Sequence, residues 1–323
     1  MSAPSPSLLA AHEPPEAHGA IPTLGESLRL AAAAFRQEAW LAPLGLLVTG
    51  ARRMAGWPAL WAAWILAWRA AASAAAQEPG SLLAPVEGAL AMIATPRFLG
   101  VVGGLWLAGA LLAAALRLAW IAGAVPALGA AMAGRPRGTA WFVEGVAEGF
   151  GRVLPAAVLG LVLELTGTFF SAALVLASAL LLGNQGSPGT AAVFGLAAAT
   201  ALALVVALAV PLALSTAADA LVARAALLRE AAAPSLAAVV RRFLARPGTF
   251  LVGAMLFGAI GMAVQLAVSA FGGITTGFAV EAPALLRLGP ELMIGALAAL
   301  LAGVIDLVWL GTLAVLSSGE ARG

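Results

Sequence analysis

Long stretches in which apolar residues run almost without a charge alternate with short segments that hold most of the arginines and acids. Phe98–Pro126, Val153–Leu182, Thr190–Ala218, Thr249–Phe271 and Pro290–Leu316 each reach the ~20 residues that span the hydrocarbon core of a bilayer as an α-helix. A helix satisfies its own backbone there. A sixth span lies between Trp40 and Ala76, where two placements compete. Hydropathy favours Trp57–Ala76 and leaves Arg52 and Arg53 at the surface. A start near Ala39–Leu41 buries Arg52 and brings Trp57, Trp61, Trp64 and Trp68 toward the far interface, which tryptophan favours. One long tilted helix from Trp40 past Trp68, bent at Pro58, meets both demands. The predicted fold class is an all-α polytopic membrane bundle of six transmembrane helices.

The connections also have a pattern. Gly183–Gly189 is a short turn, and Gln77–Arg97 and Gly272–Gly289 are longer. Within the first long one, Leu82–Thr95 is apolar and is expected to rest on the membrane surface. Ser27-Leu28 precedes Phe35 at the interval at which Ser235-Leu236 precedes Phe243, and Phe142–Phe150 repeats that interval with Glu144 and Glu148 inside it. Each segment is charged on one side and apolar on the other, as expected for short amphipathic helices lying in the headgroup plane ahead of a span. Aligning Phe35, Phe150 and Phe243 gives units 24–130, 131–222 and 223–318 of one membrane domain, 24–318. Each unit has two spans, so this is a threefold parallel repeat rather than an inverted one. Residues 1–23, rich in Pro, Ala and Ser, read as a disordered cytoplasmic tail, and 319–323 as a short cytoplasmic tail.

Charge placement sets the orientation. Arg29, Arg36, Arg135, Arg137, Arg152, Arg224, Arg229, Arg241, Arg242 and Arg246 fall in alternate connections, whereas the opposite ones hold Arg97, Arg287 and, in one placement, Arg69. Both termini are therefore expected in the cytoplasm. All 17 basic residues are arginine, which with the abundance of Ala, Gly and Leu fits a GC-rich bacterial genome and an inner-membrane location. The formal net charge is only +2, so no nucleic-acid partner is expected. Expected partners are the lipid bilayer and a membrane protein or second copy of the chain. The exposed Arg135, Arg137, Arg241, Arg242 and Arg246 are expected to face anionic lipid.

Asp219 through Arg224, then Ser235-Leu236 and Arg241-Arg242-Phe243 before a Gly-rich span, with Gly129–Gly134 and Phe142–Arg152 as the earlier equivalent, resemble the six-span YciC-like membrane proteins and the membrane domain attached to some glycerophosphodiester phosphodiesterases. The similarity covers about 27–316. It implies a fold and brings no catalytic residue.

Candidate chemistry is sparse. Cysteine is absent, and His12 and His18 lie in the tail, so no thiol, His base or His metal site is expected in the membrane, and no cofactor. There is no Gly-x-Ser-x-Gly, Walker loop or His-Glu-x-x-His. Three charges stand out inside spans, Arg117, Glu164 and Asp306, with the polar Gln265 beside them, and charges there are expensive enough to face a bundle interior or water. Counting turns places Arg117, Glu164 and Asp306 at similar depth, with Arg117 between two carboxylates; Arg52 and Arg53 join this layer if the first span starts early. Without them the cluster is net negative and suits a cation or proton; with them it is net positive and suits an anion. Asp219 reads as an interfacial residue, and Asp306→Ala is expected to destabilise more than Asp219→Ala.

The expected function is that of a non-enzymatic integral membrane protein organising or assisting a membrane or lipid-related process. The alternative is a transporter or channel using the layer of Arg117, Glu164 and Asp306. A transporter keeps a water-accessible cavity beside Glu164 and Asp306; a scaffold packs them dry. An intramembrane hydrolase would need two carboxylates facing an open approach. Gly100, Gly103, Gly104 and Gly109, and Gly253, Gly258 and Gly261, are expected to let helices approach closely.

Overall fold

The computed structural model describes residues 22–135, 138–183, 190–278 and 284–318, so residues 1–21 and 319–323 of the two tails, and Arg137, lie outside the described residues. Every regular element described is an α-helix: α1 Leu24–Gln37, α2 Leu41–Met54, α3 Trp57–Gln77, α4 Ala84–Ile93, α5 Pro96–Met132, α6 Thr139–Gly183, α7 Thr190–Leu228, α8 Ala232–Ala245, α9 Pro247–Phe278 and α10 Ala284–Ser318. Six segments are long and apolar enough to cross a membrane, the first being α2 and α3 together, Leu41–Gln77.

The first span is therefore long and broken. It breaks at Ala55-Gly56, and Pro58 sits in the first turn of α3, where its missing N–H is harmless. Phe142–Phe150 differs from expectation: it is no separate helix but the start of the 45-residue α6. At ~1.5 Å per residue α6 is about 68 Å long, roughly twice the hydrocarbon thickness of a bilayer. α4, expected on the membrane surface, folds back along α3, where Gly88 lies against Ala74 and the Ala70 carbonyl.

α10 is the central element. It packs against α1, α2, α5, α7 and α9, and 33% of its most apolar window is buried, against 6–11% for the other spans. Fully buried large side chains gather at its C-terminal end: Leu310, Leu313 and Leu316 cluster with Phe250 of α9, and Leu307 with Leu128 of α5. The amphipathic α1 and α8 pack on this same end, hereafter the elbow end. They share a register: Ser27 and Ala31 of α1, and Ser235 and Val239 of α8, are all 0% exposed. α1 begins with a capping box, Thr23 Oγ1 accepting from the Glu26 amide and the Thr23 amide donating to Glu26 Oε2 at 2.8 Å.

α5, α6 and α7 hold the internal prolines Pro126, Pro155 and Pro211, each of which leaves a carbonyl one turn back without its amide. For Pro211 the carbonyl is Ala207, and Ser171 of α6 donates its hydroxyl to it at 2.6 Å. For Pro126 it is Ala122, and Gly145 of α6 sits directly against that oxygen. α5 ends in a Schellman turn: Gly134 has φ +68°, with Gly134 N–H to Ala131 and Arg135 N–H to Ala130. Gly138, before α6, likewise has a positive φ of 57°.

Candidate functional site

Two helix crossings fix how the polar residues meet. Gly45 of α2 faces Gly303 of α10, where a Cβ on Gly303 would lie 3.1 Å from the Gly45 carbonyl, and Gly109 of α5 lies against the Ala55 carbonyl. α2 therefore belongs to the bundle, as a span starting near Leu41 requires. Arg52 sits about 10 Å along α2 beyond the Gly45–Gly303 crossing, and Asp306 about 4–5 Å on its elbow side. Helical side chains lean toward their own N-terminus. In these antiparallel helices Arg52 and Asp306 lean toward each other.

Arg117 has its ion pair with Asp219, Nη2 to Oδ1 at 2.9 Å, and not with Glu164 or Asp306. The reading of Asp219 as interfacial is corrected here. α7 continues as helix to Leu228, so Asp219 lies more than two turns inside its end, level with Arg117. The Trp309 indole lies against the same carboxylate. Asp306, Glu164 and Arg52 remain in the electrostatic neighbourhood: Arg52 and Arg117 both interact with Asp219 and Asp306, and Arg117 with Glu164. Adding Asp219 changes the charge sum. Arg52, Arg53 and Arg117 balance Glu164, Asp219 and Asp306, so the layer is neutral rather than net negative or net positive.

One ion pair leaves much of the layer unpartnered. Among the described residues Arg52 Nε and Arg117 Nε are buried without a hydrogen bond. Open space lies beside the layer. A cleft of about 380 Å³ between α7, α9 and α10 is lined by Asp219, Asp306, Arg53, Gln265, Ser215 and Thr216, with Gly258 and Gly261 of α9 on its wall. A second hollow of about 430 Å³ lies on the other face of α7, beside Glu164 and Thr168. Leu212 and Ser215 line both. Of the glycines expected to pack helices, Gly109 does so and Gly253 meets Trp309 and Leu24. A Cβ on Gly100, Gly103, Gly104, Gly258 or Gly261 would meet nothing within 4 Å.

The elbow end treats its charges differently. Arg229, with φ 54° at the end of α7, reaches Glu148 at 2.8 Å and Glu144 at 3.0 Å on successive turns of α6. The left-handed backbone of a non-glycine residue costs about 1–2 kcal/mol, offset here by two charge-assisted bonds. Arg224 holds Glu230 through two bonds of 3.1 Å and donates to the Ser317 carbonyl, while Ser235 Oγ lies 3.2 Å from Glu230. Arg242, expected to face lipid, donates to the Leu316 carbonyl at 3.4 Å, so Arg224 and Arg242 together cap the C-terminus of α10. Arg241, Arg246 and Arg135 are exposed.

Sequence reasoning also missed Glu38. It is 1% exposed at the corner between α1 and α2, where the Trp40 indole donates to it. Its Oε1 has no hydrogen-bond partner. The one signal available was a lone acid between an amphipathic helix and a tryptophan. No group of three His, Cys, Asp or Glu among the described residues is placed to hold a metal ion. No protein-family profile, curated protein or solved structure matches the chain.

Proposed function

We propose that this chain is a non-enzymatic, multi-pass protein of a bacterial inner membrane, both termini cytoplasmic, that assists a lipid-related process by holding a polar or amphipathic molecule within its membrane region. The observation that supports this reading is the cleft of about 380 Å³ with Asp306 and Arg53 on its walls. A scaffold gains nothing from unpaired charges at that depth, where each costs about 2.5–3.5 kcal/mol on insertion scales. Asp219 is engaged by Arg117 at 2.9 Å and so is already committed to a partner within the protein, unlike Asp306. The arginines crowded at the elbow end favour placing that end in the cytoplasm.

A transporter or channel is the second reading, favoured by the hollow beside Glu164. Leu212 and Ser215 alone are shared by the two hollows, so a small shift of α7 near Pro211 would join them. The matched register of α1 and α8 supports the threefold repeat, with both lying in the headgroup plane. The similarity to YciC-like proteins belongs with this reading as a proposal of shared fold.

The test is labelling of single cysteines in this cysteine-free chain. Gly258→Cys and Thr168→Cys report on the two hollows, and Leu208→Cys, 73% exposed on the outer surface, on lipid. An impermeant thiol reagent is expected to modify Gly258→Cys and not Leu208→Cys. Protection of Gly258→Cys from both sides would sink the reading. Modification of Thr168→Cys from the side opposite to Gly258→Cys would make transport the better account.

A further inference from the structure

The cleft has an internal order as well as a volume. Asp306 and Arg53 both line it, and neither has an ion pair or hydrogen bond among the described residues. Asp306 lies on the elbow side of the Gly45–Gly303 crossing and Arg53 beyond it, so the carboxylate is nearer the elbow end and the guanidinium deeper. Their Cα atoms are on the order of 15 Å apart along the bundle, a distance the long arginine shortens by leaning back toward its N-terminus. About 380 Å³ lies within the ~300–1,000 Å³ typical of small-ligand sites.

The cleft also opens sideways. α7 and α9 both pack on α10 and touch each other sparsely. A Cβ on Gly258 or Gly261 would meet only open space, and the neighbouring Met262 and Leu266 are each 67% exposed. The mouth is thus apolar and faces the surroundings of the bundle, while the floor is charged. In the leaflet on the elbow side, a zwitterionic phospholipid places its ammonium outermost, its phosphate next and its chains deepest. That is the order in which the cleft offers an acid, a base and an apolar exit.

We infer that the α7–α9 cleft binds the zwitterionic headgroup of a phospholipid, the ammonium at Asp306 and the phosphate at Arg53, with the acyl chains leaving between α7 and α9. This rests on the reading of the cleft as a ligand-holding site. Gln265 also lines the cleft and can donate to a phosphate or ester oxygen. An anionic headgroup without an ammonium would leave Asp306 unpaired and add a like charge beside it.

The experiment uses the full chain, delipidated in detergent, titrated with short-chain phosphatidylethanolamine, short-chain phosphatidylglycerol and soluble phosphoethanolamine. Thermal stability and lipid retention in native mass spectrometry are the readouts. A saturable rise in Tm with phosphatidylethanolamine is expected, with apparent affinity about tenfold weaker in Asp306→Asn, Arg53→Gln and Gly261→Leu. Gly261→Leu leaves every charge in place and fills the cleft, and its Tm without lipid should match wild type. Equal responses to both lipids, unchanged in all three variants, would mean non-specific lipid coating and overturn the inference. Equal protection by phosphoethanolamine and the lipid would support the headgroup contacts and reject the lateral exit of chains. Labelling of Gly258→Cys with no lipid preference would defeat this inference while leaving the ligand-holding reading intact; protection of Gly258→Cys would defeat both.

Discussion

At the elbow end Arg224 and Arg229 are nearly enclosed, and each closes two bonds to acids while a backbone carbonyl or a second arginine completes the network. A few turns away, Arg52, Arg53, Asp306 and Glu164 have no such partner among the described residues, and hollows lie beside three of them. The same side-chain types serve opposite ends. A charge-assisted hydrogen bond is strong when its geometry is held, so the elbow end uses arginine to tie α6, α7, α8 and α10 together. A charge left open at membrane depth is costly unless something polar visits it, and this is why the layer, not the elbow end, carries the proposed ligand site.

The largest break in this comparison comes from Arg224→Ala. It strands Glu230 and the last carbonyls of α10, and about 3–5 kcal/mol should be lost, read as a large fall in Tm in detergent. A small effect would mean that the elbow network does not tie the helices. Asp219→Ala comes next. It leaves Arg117 unpaired and should cost about 1.5–3 kcal/mol, while Asp306→Ala should change Tm little. Sequence alone orders these two variants the other way, and that order in the measurement would remove Arg117–Asp219 as the structural pair.

The glycines sharpen the contrast at smaller scale. Gly145→Ala drives a methyl into the Ala122 carbonyl and should cost about 1–3 kcal/mol. Gly258→Ala enters open space and should stay within about 0.5 kcal/mol of wild type. Matching losses would mean that α9 closes on α7. The smallest effect concerns the cap of α1. Hydrogen bonds from the Thr23 backbone and side chain hold the Glu26 carboxyl below its ordinary value, so its contribution is present above the usual glutamate range and fades as pH falls through the lowered value. Amide exchange at the start of α1 should quicken on acidification in wild type and lose that dependence in Glu26→Gln.

Much of the bundle was legible because membrane helices declare themselves one at a time. Five spans follow from unbroken apolar runs, and the short amphipathic helices from charge spacing around Phe35 and Phe243. The fate of Phe142–Phe150 was not legible. Its pattern matches the other two, and what makes it continuous with α6 is tertiary: Gly145 and Gly149 let α6 press against Ala122, and Arg229 clamps Glu144 and Glu148 from another helix. Arg117, Glu164 and Asp306 were recognisable as costly. Asp219 was passed over because the apolar run stops at Ala218 while the helix does not.

The sequence by itself determined that this is an all-helical chain with six membrane-length apolar helices, because bilayer thickness and backbone hydrogen bonding leave a long apolar run one stable form. It also determined which charges had to find an unusual place. Only the tertiary structure decided which carboxylate meets Arg117, that α2 lies against α10, and that Gly258 and Gly261 face a cleft instead of a neighbour. Those outcomes depend on helix rotation and on crossings between residues far apart in the chain. Each glycine or charge is compatible with several such arrangements until the other helices exclude all but one.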